Sequence, residues 1–152
     1  MASAGKKTAF LIGRAVLGGY FIFSGINHFK NRKSMAQYAG AKRVPAPHVA
    51  VPGTGALLVF GGTSILLGLK PRWGALAIIT FLAGVSPMMH DFWAQTDPNQ
   101  RMSEMINFTK NMALLGSALT LMGVERWPLS VASGEQGRSY DRIRRSVRKM
   151  AA

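Results

Sequence analysis

The chain contains no cysteine in its 152 residues. That excludes thiol nucleophiles, disulfide staples, iron–sulfur ligation and covalent haem attachment by its own side chains. Acidic residues are scarce as well, six against nineteen lysines and arginines, giving a formal net charge of +13. In a water-soluble domain this balance would raise nucleic acid first, but neither aromatic-basic interleaving nor metal-finger spacing accompanies it, so no nucleic-acid partner is expected. Charge of either sign is missing from four windows: Thr8 to Phe29 apart from Arg14, Val49 to Leu69, Trp73 to His90, and Met105 to Val124 apart from Lys110. Each is close to the roughly 20 residues an α-helix needs to cross a bilayer.

Those windows predict an all-α membrane protein. The expected architecture is a four-transmembrane-helix bundle over residues 1–127, with spans at about 8–29, 49–69, 73–92 and 105–124, followed by a basic amphipathic C-terminal segment over 128–152. A soluble helical protein would alternate apolar stripes with charged faces, whereas Gly74 to Met89 has no charged side at all. Lys6 and Lys7 before the first span resemble a signal-peptide start. The apolar run behind them is longer than a signal peptide's, and no small-residue cleavage site follows, so a retained anchor is expected.

Small residues recur where helices would touch. Gly18, Gly19, Ser24 and Gly25 mark the first span, Gly53 through Gly68 the second, and Ala113, Gly116, Thr120 and Gly123 form a three-four-three seam in the fourth; helix packing is the expected use of each. Lys70-Pro71-Arg72 is a short turn, which makes the second and third spans antiparallel neighbours. In the long connection from Lys30 to Pro52, Val44-Pro45-Ala46-Pro47 rejects continuous helix, and Ser34 to Tyr38 is expected to make a single turn capped by Ser34. Pro87 frees the carbonyl of Ala83 just before His90 and predicts a kink there.

The polar residues concentrate at one membrane face. His90-Asp91-Phe92-Trp93 closes the third span, and Phe108-Thr109-Lys110-Asn111 opens the fourth. If the two helices form a hairpin, Lys110 faces Asp91, and an ion pair between them would reduce the penalty of both charges near lipid. His90, Asp91 and Lys110 are the candidate catalytic groups; Arg14, His28, Trp93 and Asn111 are the candidate ligand-binding ones. Arg14, close to the start of its span, is read as snorkelling to the headgroups, with a bundle-facing role as the alternative. At the other end of the chain, Tyr140, Ile143, Val147 and Met150 recur at helical spacing opposite a basic face. That tail suits a helix lying on anionic headgroups, a solvated segment or a dock for an acidic partner.

With four spans both termini share a side. Eleven basic residues lie on that side against six opposite, so the positive-inside rule puts both termini in the cytoplasm of a bacterial inner (plasma) membrane protein.

The chain resembles the DoxX family of small four-helix membrane proteins. Arg14 with Gly18 and Gly25, Val44-Pro45-Ala46-Pro47, Gly61-Gly62 through Gly68 with Arg72, and above all His90-Asp91-Phe92-Trp93 with Phe108, Lys110-Asn111 and Leu114-Leu115-Gly116 carry the resemblance, over roughly residues 10–124. It implies an integral membrane protein; some members are subunits of redox assemblies, including thiosulfate:quinone oxidoreductase, and many have no assigned activity. Members often carry a glutamate in the second span ahead of the paired glycines. Leu58-Val59-Phe60 stands there in this chain, which leaves Arg14 without that carboxylate.

Two functions follow as expectations. One is an accessory or quinone-linked subunit of a larger membrane redox complex, in which His90, Asp91 and Lys110 meet a quinone headgroup beside Phe92 and Trp93, with electrons supplied by a partner. The other is a non-catalytic structural or anchoring subunit, in which the same cluster is a polar clasp between helices. No cofactor is encoded and no metal site is expected. A two-histidine haem is disfavoured because His28, His48 and His90 all fall near one face.

Overall fold

A computed structural model describes residues 4–124 together with 127, 128 and 130. The order of elements is α1 (Ala4–Lys30), α2 (Arg32–Ala41), α3 (Pro47–Leu67), α4 (Pro71–Met89), a 3-10 turn (Phe92–Ala94) and α5 (Pro98–Met122). No strand occurs among the described residues. Three segments, Gly5–Lys30, Pro47–Leu67 and Pro71–Ala94, are long and apolar enough to cross a bilayer. With 25 residues α5 is long enough too, but Asn107, Lys110 and Asn111 dilute its apolar character and it does not join them.

Helix α3 is the centre, packed against α1 on one side and α4 on the other, while α5 packs on α4. Glycine sets these distances. A Cβ at Gly18 would lie 2.8 Å from the carbonyl oxygen of Gly62, and one at Gly25 2.6 Å from that of Gly55. Both pairs keep the same antiparallel register, because a step of seven residues up α1 meets a step of seven down α3. About 100° round α3 from Gly62, a Cβ at Gly61 would sit 3.0 Å from the carbonyl oxygen of Gly74 on α4. In lipid, where apolar surface gains nothing by leaving solvent, such backbone approach is what holds helices together.

The turn between α3 and α4 is closed by Gly68 at φ 69°, whose amide bonds back to Ile65, and by the hydroxyl of Ser64, which donates to the carbonyls of Leu69 and Lys70. α4 carries Pro87 in its last turn, where Ser86 donates its hydroxyl to the Leu82 carbonyl. Phe21, Leu58, Ile65, Ile78, Leu82 and Ala118 form the main core.

Several expectations are corrected. The connection after α1 holds a ten-residue helix, α2, not a single turn; Ser34 lies inside it and donates its hydroxyl to the carbonyl of Asn31, the residue at the N-cap. α2 lays Ala36 and Ala39 against Val51 of α3.

The three-four-three seam of α5 is not a packing surface among the described residues. Ala113, Gly116, Thr120 and Gly123 are all exposed, and nothing lies within 4 Å of a Cβ built at Gly116. The packed face is instead Leu114, Leu115, Ala118 and Leu121.

Arg14 does not reach outward. It is 8% exposed and donates from its guanidinium to the Pro128 carbonyl at 3.0 Å. The reason is its face of α1, which turns the guanidinium toward Gly68 after α3 and Pro128 after α5, so Arg14 faces the bundle, the alternative to snorkelling. The basic stripe expected over 139–150 lies outside the described residues.

Candidate functional site

The two ends of the helices differ. At one end Arg14 of α1, Gly68 after α3 and the Trp127-Pro128 segment after α5 come together, with the Phe10 and Trp127 rings edge to face at 5.3 Å. The other end gathers the ionisable groups.

Asp97 starts α5 there by accepting the amide of Gln100 at 2.8 Å, and Pro98 fills the first helical position, where a missing N–H is harmless. This start places Glu104 on a helical turn facing the end of α4. Lys42, the residue that caps α2, donates to Asp91 at 2.8 Å and to Glu104 at 3.1 Å. The other oxygen of Glu104 accepts from Nδ1 of His90 at 2.8 Å, and Gln95 donates to Asp91 at 3.1 Å. One ammonium therefore bridges two carboxylates, and three separate segments of chain are joined.

The side chains of Lys42 and Glu104 are only 17% and 15% exposed. Burial disfavours the charged form of Glu104, but the hydrogen bonds from His90 and Lys42 outweigh it and hold the carboxyl below the usual glutamate range. Burial also works against the Lys42 ammonium. The hydrogen bonds to Asp91 and Glu104, reinforced by their charges, prevail and raise it above the ordinary lysine range.

Because a carboxylate only accepts, His90 must carry its proton on Nδ1, which leaves Nε2 for a second partner. His90 borders a groove of about 680 Å³ between α1 and α5. Tyr20 of α1 lines one side; Asn107, Lys110, Asn111 and Ser117 of α5 line the other. The groove exists because the backbones of α1 and α5, unlike those of α1 with α3 or α4 with α5, do not approach closely.

The expected pairing of Asp91 with Lys110 is thus corrected: the cation on Asp91 is Lys42, 49 residues away in sequence, and Lys110 lies in the groove, with no ion pair among the described residues. Of the remaining candidates, His90 and Asp91 join the network and Asn111 joins the groove. Trp93 belongs to a three-ring cluster with Phe92 and Phe108, centroids 5.0 to 5.8 Å apart. His28 is buried, donates from Nδ1 to the Ser24 carbonyl at 2.8 Å and stands edge-on to Phe81. Arg14 is at the opposite end. No three His, Asp or Glu side chains form a metal-holding group among the described residues.

Lys42, Glu104, Gln95, Tyr20 and Asn107 were not singled out from the sequence. The Asp97-Pro98 pair was the available signal for Glu104: read as N-cap and first helical residue, it starts the helix early enough to include that carboxylate.

The family model for DoxX matches residues 9–91, more than half of the chain, from early in α1 through the His90-Asp91 pair. The chain belongs to the DoxX family. In this DoxX protein the match takes in α1 to α4 and stops before α5, so Glu104 and the α5 side of the groove lie beyond it. No curated protein and no solved structure matches the chain. Family membership and three apolar helices together make it an integral membrane protein.

Proposed function

We propose that this DoxX-family protein is an accessory subunit of a larger membrane redox complex and that its charged cluster is a clasp rather than a reaction centre. The observation that carries this reading is the mutual satisfaction of the cluster: the Lys42 ammonium is shared by the Asp91 and Glu104 carboxylates, and Glu104 also accepts from His90, across α2, the end of α4 and α5. Such an arrangement fixes helices and leaves little free for chemistry. In this reading α5 is the fourth span over about 105–122, both termini are cytoplasmic, and the membrane is the bacterial inner membrane. The test is purification in mild detergent from the native source. A larger redox assembly travelling with the chain supports the accessory role; a chain that leaves the membrane alone, at full recovery, refutes it.

A quinone link is favoured by one further observation, the position of His90 at the rim of the groove with Nε2 not used by Glu104. His90→Ala distinguishes the two roles. Loss of quinone-dependent turnover in an intact assembly supports the link, whereas loss of the assembly itself supports the clasp alone.

A further inference from the structure

Lys110 lies in the groove between α1 and α5, and the carboxylates around it are already engaged. Among the described residues the acids are Asp91, bonded to Lys42 and Gln95; Glu104, bonded to Lys42 and His90; and Asp97, which caps α5. No ion pair to Lys110 is formed by any of them. It follows Glu104 by six residues on the same helix, about 9 Å further along the axis and away from the charged tip. An ammonium at that depth in a membrane protein calls for an anion.

The surroundings suit an amphiphile. Asn107, Asn111, Tyr20 and Ser117 are the neutral polar residues of the groove wall, Ser117 with its hydroxyl donating to the Ala113 carbonyl at 2.9 Å, and Ala113 and Leu114 are its apolar part. Beyond Ser117 and Ala113 the surface of α5 stays open at Gly116.

We infer that this groove binds the headgroup of an anionic phospholipid, with the phosphodiester on Lys110, hydrogen bonds from the Asn107 and Asn111 amides, and the acyl chains lying along the α1–α5 seam. The observation is the juxtaposition of an ammonium, four neutral polar side chains and an open apolar seam in one groove of about 680 Å³. This occupant rests on the reading of α5 as a membrane span but not on the accessory role, since partner retention and lipid retention are separate measurements.

The experiment uses the full chain in mild detergent, with phosphatidylglycerol or phosphatidylcholine titrated and the retained lipid read by native mass spectrometry. Phosphatidylglycerol is expected to be held preferentially. Lys110→Gln should lower its retention about fivefold, the equivalent of about 1 kcal/mol for one basic side chain, and leave phosphatidylcholine unchanged. Lys110→Arg should keep it. Lys110 is exposed, so the lipid-free melting temperature of Lys110→Gln should match the native chain. If that variant does not fold, the native chain alone decides, by whether phosphatidylglycerol raises its melting temperature more than phosphatidylcholine does.

Equal retention of the two lipids overturns the proposal. So does undiminished phosphatidylglycerol retention in Lys110→Gln, which would assign the binding to the basic tail. Displacement by millimolar inorganic phosphate would mean a free-anion site, and displacement by a short-chain quinone with Lys110→Gln unaffected would mean a neutral headgroup; either result also overturns it.

Discussion

Glu104 accepts two hydrogen bonds from two different donors, Lys42 on one oxygen and His90 on the other. Glu104→Gln keeps the shape and removes one acceptor. The amide satisfies both neighbours only with its oxygen toward Lys42 and His90 switched to its Nε2–H tautomer, and in either orientation the carboxylate charge opposite Lys42 is lost. Breaking a fully buried charged pair costs about 3–5 kcal/mol, and exposed pairs are worth about 0–1 kcal/mol. With Lys42 and Glu104 17% and 15% exposed, this pair falls between, and we expect a loss of about 2 kcal/mol. For a chain of this length that is a fall of roughly 4–8 °C in the melting temperature. The assay is thermal unfolding in one detergent of the native chain, Glu104→Gln, Lys42→Met and the double variant. The two single losses should fail to add, by about 1 kcal/mol. Full additivity, or a Glu104→Gln variant within about 0.3 kcal/mol of native, would show that the network is an ordinary solvated pair and would remove the basis of the clasp.

Gly62→Ala should cost about 3 kcal/mol in the same assay, because its Cβ would lie 2.6 Å from the Gly18 carbonyl oxygen and 2.8 Å from the Ile22 amide nitrogen, both backbone. Gly84→Ala, with nothing within 4 Å, should be neutral or up to about 1 kcal/mol stabilising; equal effects at the two sites would contradict the α1–α3 approach. Ser64→Ala should cost about 1 kcal/mol by releasing the Leu69 and Lys70 carbonyls, a loss read as earlier proteolysis at the α3–α4 turn.

The folded-state carboxyl of Glu104 is held below its ordinary 4.5, so its contribution is present above that pH and is lost as pH falls through the lowered value. The Lys42 ammonium is held above 10.5, so its contribution is present below that pH and is lost as pH rises through the raised value. Melting temperature measured against pH should therefore lose the clasp on both flanks, and Glu104→Gln should flatten its part of the acid flank.

The membrane helices were legible because lipid imposes one requirement on every residue of a span. The charge-free windows at 49–69 and 73–90 lie within about two residues of α3 and α4 at either end. Glycine spacing likewise indicated close helix contact at Gly18, Gly25 and Gly62. The identity of ionic partners was not legible. Choosing between Lys42 and Lys110 for Asp91 depends on the rotation of three helices about their axes, and a shift of one residue on an α-helix turns a side chain by about 100°. For the same reason the small residues of α5 looked like a contact face. Spacing shows that they share a side but not which neighbour, if any, that side meets.

Helix α5 is fastened near its first turns through Glu104, and the chain just beyond its last turn is fastened at Trp127, yet between those points its backbone does not come close to that of α1 as it does to that of α4. The gap therefore opens sideways. A molecule already dissolved in the bilayer can enter by diffusing in two dimensions, without passing through water. What fills the gap is then governed by mole fraction among the surrounding lipids, not by aqueous solubility, and occupancy should change with the composition of the host membrane.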